Sequence, residues 1–402
     1  MRVLISGASI AGPVLAYWLT RRGFDVTVVE RAPDLRKTGG HAVDLFRPAM
    51  DISEHMGVMP RILDHATGTE RLIVHRTGGS RPARIDYLKL LAALSDRHVE
   101  IMRDDLSEIY YDAGRDDVEY LFGDVITAIS DDGDVTFANN PPRTYDVIVG
   151  ADGLHSGVRQ LVFGADAGHA EFLGACLAVI SVPKSFARDG ESTGFVDVDR
   201  LAMVYTADHL DDARAVFIFR PASPIHYDHR DVAGQETLLR NGFTGLAPTV
   251  DTWLDELDRT PAFYFDSITQ LQLTSWSRGR VTLVGDAGYC PGPAVGGSTS
   301  LAVLGAYVLA GELERAAGDH AAAFSAYERV MMEPVLGSRA LARAMAKSVL
   351  PSSELGVRAL VATGQLVSLL PARLTAAVAK LNDKGIRLYD SMRAPDYPIP
   401  VA

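Results

Sequence analysis

The sequence predicts an α/β protein in which a parallel-sheet lobe is interleaved with a mixed-sheet lobe and followed by a C-terminal helix. Three observations carry that expectation. A strand pattern, a glycine-rich turn and a helix pattern open the chain within residues 3–19. Two further strand–turn–helix passages recur near 145–159 and 280–300. Between these, residues from about 165 to 275 alternate short strand-like runs with polar turns.

The first unit reads in order. Val3-Leu4-Ile5-Ser6 is a continuous apolar strand, Gly7-Ala8-Ser9-Ile10-Ala11-Gly12 is a tight turn, and Val14, Leu15, Trp18 and Leu19 mark one side of a helix. Val26-Thr27-Val28-Val29 is a second strand ending in Glu30. That places the acid near the separation of about 20 residues expected between a glycine turn and a ribose-binding carboxylate. In such a unit the glycines let backbone amides approach a pyrophosphate, and the helix N-terminus supplies partial positive charge. Gly7, Ser9, Ile10, Ala11, Gly12 and Glu30 are therefore candidate dinucleotide contacts, with Arg31 offering an adenine or phosphate contact. Ser9 stands where the fingerprint has its middle glycine, and serine is small enough to fit. Any parallel βαβ turn favours glycine; the register with strand, helix and Glu30 is what points to a dinucleotide. A serine-hydrolase elbow at Gly7–Ala11 is disfavoured, because that elbow needs several strands before it and this one follows the first.

The later passages narrow the ligand. Tyr145 to Gly150 reads as a strand running into Ala151-Asp152-Gly153-Leu154-His155-Ser156-Gly157-Val158-Arg159. Alone, that passage also reads as an Asp-Gly turn with Ser156 capping a helix. Arg280 to Val284 is a strand closed by Gly285-Asp286-Ala287-Gly288; Pro291-Gly292-Pro293 rigidifies the turn, and Gly296-Gly297-Ser298-Thr299-Ser300 opens a long apolar helix. A carboxylate at that strand end suits a ribityl hydroxyl. The next helix N-terminus suits negative charge on a flavin pyrimidine edge. FAD is the dinucleotide that answers to all three.

With those motifs in this order, the chain resembles the class A FAD-dependent monooxygenases, the group containing para-hydroxybenzoate hydroxylase and the tetracycline-inactivating monooxygenases, and within it the tetracycline-inactivating branch. The resemblance covers nearly the whole chain. The family's glycine turn falls on Gly7 to Gly12 with Glu30, its DG motif on Gly150 to Gly153 through Ser156 and Arg159, and its GD motif on Gly285-Asp286 through Pro293 and Gly296. It implies an arginine ahead of an R-x-x-L helix against the flavin, matched by Arg103-Asp104-Asp105-Leu106, and a strand position at Val125 whose backbone meets the adenine. The family's Ala-His and Gly-Gln-Gly-x-Asn runs are replaced by Gly288-Tyr289 and by Gly296-Gly297-Ser298-Thr299-Ser300, which leaves backbone amides to serve the flavin beside Ser298 and Thr299.

The fold implied by the resemblance is a Rossmann-like FAD-binding domain of the GR2 flavoprotein type. It takes residues 1–164 and 276–350 with part of the substrate-side segment near 60–100, leaving a mixed-sheet substrate domain at 165–275 and a C-terminal helical segment at 351–402. The activity implied is oxygenation of a small apolar or aromatic molecule with NADPH or NADH and oxygen, through a flavin C4a-hydroperoxide. A flavin-dependent dehydrogenase or reductase on the same fold, and an FAD-binding protein without oxygenase activity, remain as alternatives. There is no second glycine fingerprint, so the nicotinamide is expected to bind transiently in a groove.

Composition narrows the partners. A formal charge of -12 opposes nucleic acid and anionic bilayers, which leaves a small-molecule substrate, aromatic or polycyclic, and a monomer or homodimer. Cys176 and Cys290 are too few for a secreted disulfide framework, and Leu301 to Ala310 is too short to span a bilayer, so a soluble cytoplasmic protein is expected. Tyr205, Phe217, Phe219, Phe263 and Tyr264 are candidate pocket liners, although aromatics in strands are more often core. His226-Tyr227-Asp228-His229 reads as a solvated loop, and no metal site is expected. Leu374, Val378, Leu381, Leu388 and Met392 recur at helical spacing. No residue is singled out as catalytic.

Overall fold

Val3, Leu4 and Ile5 are fully buried because their strand, β1 (Arg2–Ser6), lies inside a six-stranded sheet. The computed structural model describes all residues except 36–39, 80, 96, 165–168, 222–227, 229, 294–296, 371–387 and 399–402. The expectations placed on Gly296, His226, Tyr227, His229, Leu374, Val378 and Leu381 lie outside the described residues.

Strand β1 pairs in parallel with β2 (Asp25–Glu30) and β11 (Val147–Gly150). Strands β7 (Glu119–Phe122) and β18 (Val281–Leu283) extend the sheet, and β17 (Ser277–Arg278) closes one edge antiparallel. Such strands need apolar runs because both faces are covered. Helix α1 (Ala11–Thr20) packs against α10 (Ser298–Arg315), in which every residue from Ser300 to Leu313 is buried. That all-round burial explains why α10 is apolar on every side.

A seven-stranded sheet is built from β4 (Arg71–Arg76), β5 (Ala83–Asp86), β12 (Ala170–Pro183), β13 (Glu191–Asp197), β14 (Arg200–Tyr205), β15 (Asp212–Phe219) and β16 (Phe263–Leu271). Its order is β16-β12-β15-β14-β13-β4-β5. Successive side chains alternate between its faces. Ala178, Ala215, Phe217 and Phe219 pack with Leu239 and Phe243 of α7 (Val232–Phe243) and Trp253 of α8 (Pro248–Leu254), with Phe263 against them. Three of the aromatic candidates, Phe217, Phe219 and Phe263, are thus core. Tyr205 and Tyr264 fall on the opposite face with Leu177, Val179, Val216 and Ile218.

The two-stranded antiparallel sheet of β3 (Ala42–Phe46) and β6 (His98–Met102) faces that second surface through Met102. Strands β8 (Ile126–Ile129), β9 (Asp134–Phe137) and β10 (Arg143–Thr144) form a small outer sheet. The remaining helices that position the site are α2 (Arg47–His55), α3 (Met59–Asp64), α4 (Tyr87–Leu94), α5 (Arg103–Asp112), α6 (Gly157–Phe163), α9 (Asp286–Tyr289), α11 (His320–Val349) and α12 (Glu354–Leu369). Among the described residues the expected terminal helix keeps only Leu388–Ser391, and Met392 follows it, still buried. No described helix is long and apolar enough to cross a membrane.

Candidate functional site

Gly7 turns the chain from β1 toward α1 with φ +110°, and a Cβ there would lie 2.5 Å from the Ala151 carbonyl oxygen. Only glycine lets the first turn touch the 150–159 loop so closely. At Gly12 a Cβ would fall 1.9 Å from the Gly7 oxygen, so this glycine lets α1 pack on its own turn. Ile10 is the buried N-cap of α1, and Ala11 is its first residue. Glu30 braces the turn: its carboxylate accepts from the Ala8 amide at 2.8 Å and the Ala32 amide at 2.9 Å. Each oxygen keeps a further lone pair for a ribose hydroxyl. Gly7→Ala is expected to destabilise the apoprotein by about 1–2 kcal/mol through its left-handed backbone. FAD affinity should fall with it as the two loops separate. Unchanged denaturation and FAD titration curves would show that the turn relaxes freely.

Ser9 is directed at α5. Its Oγ accepts from Arg103 Nη2 at 3.2 Å, and its carbonyl accepts from Ser107 Oγ at 3.1 Å. Arg103 therefore stands beside the glycine turn. Arg31 is exposed and has no hydrogen bond or ion pair among the described residues. Val125 lies between β7 and β8 and not in a strand, a departure from expectation. The cause is Asp124, whose carboxylate takes the amides of Val125, Asn139 and Asn140 and shapes a turn there. The Val125 amide is thereby engaged, and its carbonyl accepts from Ala138 N–H at 3.0 Å.

In the second loop Asp152 accepts from Ser156 Oγ at 2.5 Å and from the amides of Gly157 and Val158 at 2.8 and 3.2 Å. Ser156 caps α6 by accepting from Arg159 N–H at 2.9 Å. The capping role that the sequence left open is thus realised. Burial still raises the Asp152 carboxyl above its ordinary value, against those hydrogen bonds. Arg159 is 1% exposed and donates to the Leu154 carbonyl at 2.5 Å and the Ala287 carbonyl at 2.8 Å, which bolts this loop to the next.

The third turn is set by Gly285 at φ +66°, where a Cβ would lie 3.2 Å from Ala302 Cβ and 3.4 Å from Ala11 Cβ. The N-terminal turns of α1 and α10 converge there. Asp286 follows; burial raises its carboxyl, while the nearby Arg103 and a hydrogen bond with Cys290 oppose the rise. Pro293 is half-buried at the end of the turn. The N-cap of α10 is Gly297, with φ +80° and no capping side chain. Its first-turn amides at Ser298, Thr299 and Ser300 are therefore free of a side-chain cap, and they carry the positive end of the helix dipole. Ser298 and Thr299 are half-buried, and Ser300 Oγ accepts from Phe46 N–H at 3.0 Å.

His41, which precedes β3, sits in no motif that marks it in the chain. Its imidazole lies 5.6 Å from the Tyr264 ring, centroid to centroid. Burial and then Arg103 push it down to about 4, with Asp44 opposing. Also unforeseen is the pair of His155 Nε2 and Asp266 Oδ2 at 3.0 Å, which ties the second loop to β16. Glycine cradles that a Cβ would fill, uncapped amides at α10 and carboxylates at Glu30 and Asp286 together fit an extended dinucleotide such as FAD.

Comparison with known proteins agrees with this geometry. The FAD binding domain family matches residues 1–324. An uncharacterized protein of Mycobacterium tuberculosis is 40% identical over 329 residues, 81% of this chain and 88% of that protein. A flavin-dependent monooxygenase of an unknown prokaryotic organism is 35% identical over 357 residues, 88% of this chain and 91% of that protein. The crystal structure of tetracycline destructase Tet(51) superposes with a TM-score of 0.82 at 30% identity, covering 98% of this chain and 99% of that one.

Proposed function

The chain belongs to the FAD binding domain family and is an FAD-dependent monooxygenase, and from that premise we propose that it oxygenates a small, largely apolar aromatic or polycyclic molecule held between the cofactor and the seven-stranded sheet. FAD, reduced by the nicotinamide co-substrate typical of the family, supplies the oxygen-activating chemistry when bound. Gly7 to Gly12, Glu30, Arg103, Asp286 and the first turn of α10 are the residues that would hold it. The single observation carrying the substrate reading is the sheet face opposite α7 and α8. It is apolar through Leu177, Val179, Val216 and Ile218, is covered in part by Ala342, Ala346 and Leu350 at the end of α11, and at Tyr264 it meets His41, which neighbours Arg103. An apolar wall excludes water and orients a ring, which oxygen transfer needs and simple electron transfer does not. The similarity to a tetracycline destructase supports a polycyclic substrate.

The division into an FAD lobe at 1–164 with 276–350, a substrate sheet at 165–275 and a helical tail at 351–402 belongs to the same proposal. Pairing of β4 with β13, and of β5 with β4, supports assigning residues 71–86 to the substrate side. Two buried free thiols, Cys176 and Cys290, support a reducing cytoplasm.

The test supplies reduced nicotinamide, a panel of phenols and polyketide-like aromatics, and isotopically labelled oxygen. One labelled atom is expected in the product for each nicotinamide consumed in coupled turnover. Hydrogen peroxide as the sole outcome across the panel would overturn the substrate class, and product formed anaerobically with another acceptor would put dehydrogenation in its place.

A further inference from the structure

We propose that His41 and Tyr264 form the polar anchor of the substrate site and hold a phenol or enol oxygen of the substrate between them. This rests on the reading that the substrate lies between the cofactor and the seven-stranded sheet.

The backbone beneath His41 is pinned from both lobes. The Gly40 amide donates to Asp104 Oδ2 at 2.6 Å, and the Gly40 carbonyl accepts from Arg214 Nε at 3.0 Å. The His41 carbonyl accepts from the Arg103 amide at 3.1 Å, and the Ala42 amide donates to Tyr205 Oη at 2.7 Å. Arg103 and Asp104 open α5 in the cofactor lobe, whereas Tyr205 and Arg214 are register partners on β14 and β15 of the substrate sheet. Four backbone atoms over three consecutive residues are thus held by four different residues. Such support fixes the position of a side chain that makes no bonds of its own.

That is the situation of His41. Among the described residues neither ring nitrogen of His41 has a hydrogen-bond partner, and neither does the Tyr264 hydroxyl. Both side chains are half-buried, so water can serve these atoms until a ligand oxygen displaces it. Both groups are neutral at working pH, since burial and Arg103 lower the imidazole to about 4 and burial holds the phenol well above its ordinary value. A neutral imidazole has one acceptor and one donor nitrogen, and a phenol donates one proton. A hydroxyl oxygen answers both: its proton goes to the imidazole acceptor, and its lone pair receives the Tyr264 proton. A carboxylate or an ether oxygen can only accept, so it needs the tautomer that turns the His41 N–H toward it, whereas a hydroxyl also donates and serves either tautomer. With its basicity depressed, His41 orients the oxygen and does not remove its proton.

The test titrates FAD-loaded protein with phenols of increasing ring number and with their O-methyl ethers, following the flavin absorbance of the oxidised protein. At least one phenol is expected to bind roughly 5- to 30-fold more tightly than its ether, the range of one or two well-made hydrogen bonds. Tyr264→Phe and His41→Ala should each erase most of that preference, His41→Asn should restore part of it, and FAD dissociation constants should stay within about twofold of the parent. Equal binding of phenols and ethers, both perturbing the flavin, would leave the substrate cleft standing and overturn the anchor. No flavin perturbation by any compound would overturn the cleft itself and the anchor with it. A preference that survives both substitutions would assign the oxygen to other residues.

Discussion

Arg159→Met is expected to destabilise the apoprotein by about 3–5 kcal/mol. The guanidinium is buried and satisfies the carbonyl of Leu154 in the loop after β11 and that of Ala287 in α9, the segments that follow the paired strands β11 and β18. Methionine fills much of the volume and offers no donor. Each orphaned buried carbonyl then costs about 1–3 kcal/mol, on top of the lost charge-assisted bonds. Lysine is expected to recover only part of this, because a point charge cannot donate along two fixed directions as a guanidinium does. Denaturant unfolding of apoprotein checks both variants. A loss below about 1 kcal/mol for Arg159→Met would mean that the surrounding core holds the loops without the bolt.

Asp286→Ala is expected to weaken FAD by roughly 1.5–3 kcal/mol, about a 10- to 150-fold rise in Kd, as befits a charged acceptor removed from a ribityl hydroxyl. An unchanged Kd would make Asp286 a turn residue only. The same carboxylate works against the empty fold. Burial raises its pKa, so its contribution to stability is present below the unfolded value of about 4 and is lost as pH rises through the folded value. Asp286→Asn keeps the shape without the charge. Apoprotein carrying it should therefore gain stability relative to the parent as pH rises above about 4, while still binding FAD less tightly. Loss of both stability and affinity at neutral pH would point instead to a misfolded turn.

The order of the three glycine turns was legible from the chain alone, since each is a local event. A strand leads into a turn that needs positive φ at Gly7 or Gly285, and a helix begins beyond it. Ser156 as a cap and the apolar character of α10 were likewise readable from neighbours a few positions away. Glu30 was readable as an acid near the turn, but its hold on the Ala8 amide belongs to the folded unit. Val125 misled because its strand-like surroundings gave no hint that Asp124 would gather three amides from both sides of a turn. Strand-like runs between polar turns were legible across residues 165–275, yet they left open which face each aromatic would take. Strand pairing decided that, sending Phe217 and Phe219 to α7 and α8 and Tyr205 and Tyr264 to the face that meets Met102 and α11.

The sequence by itself determined the cofactor-binding framework, because glycines, caps and hydrophobic periods act over spans that one turn or one strand covers. Only the tertiary structure decided the substrate side. Gly40 meets Arg214 and His155 meets Asp266 across 174 and 111 positions of chain. Such contacts leave no local pattern, for each partner satisfies its own helix or strand in the same way whether or not the other is there. What brings them together is the packing of one lobe on the other, driven by apolar surface that has no direction of its own and selects neighbours only through the shape of the whole fold.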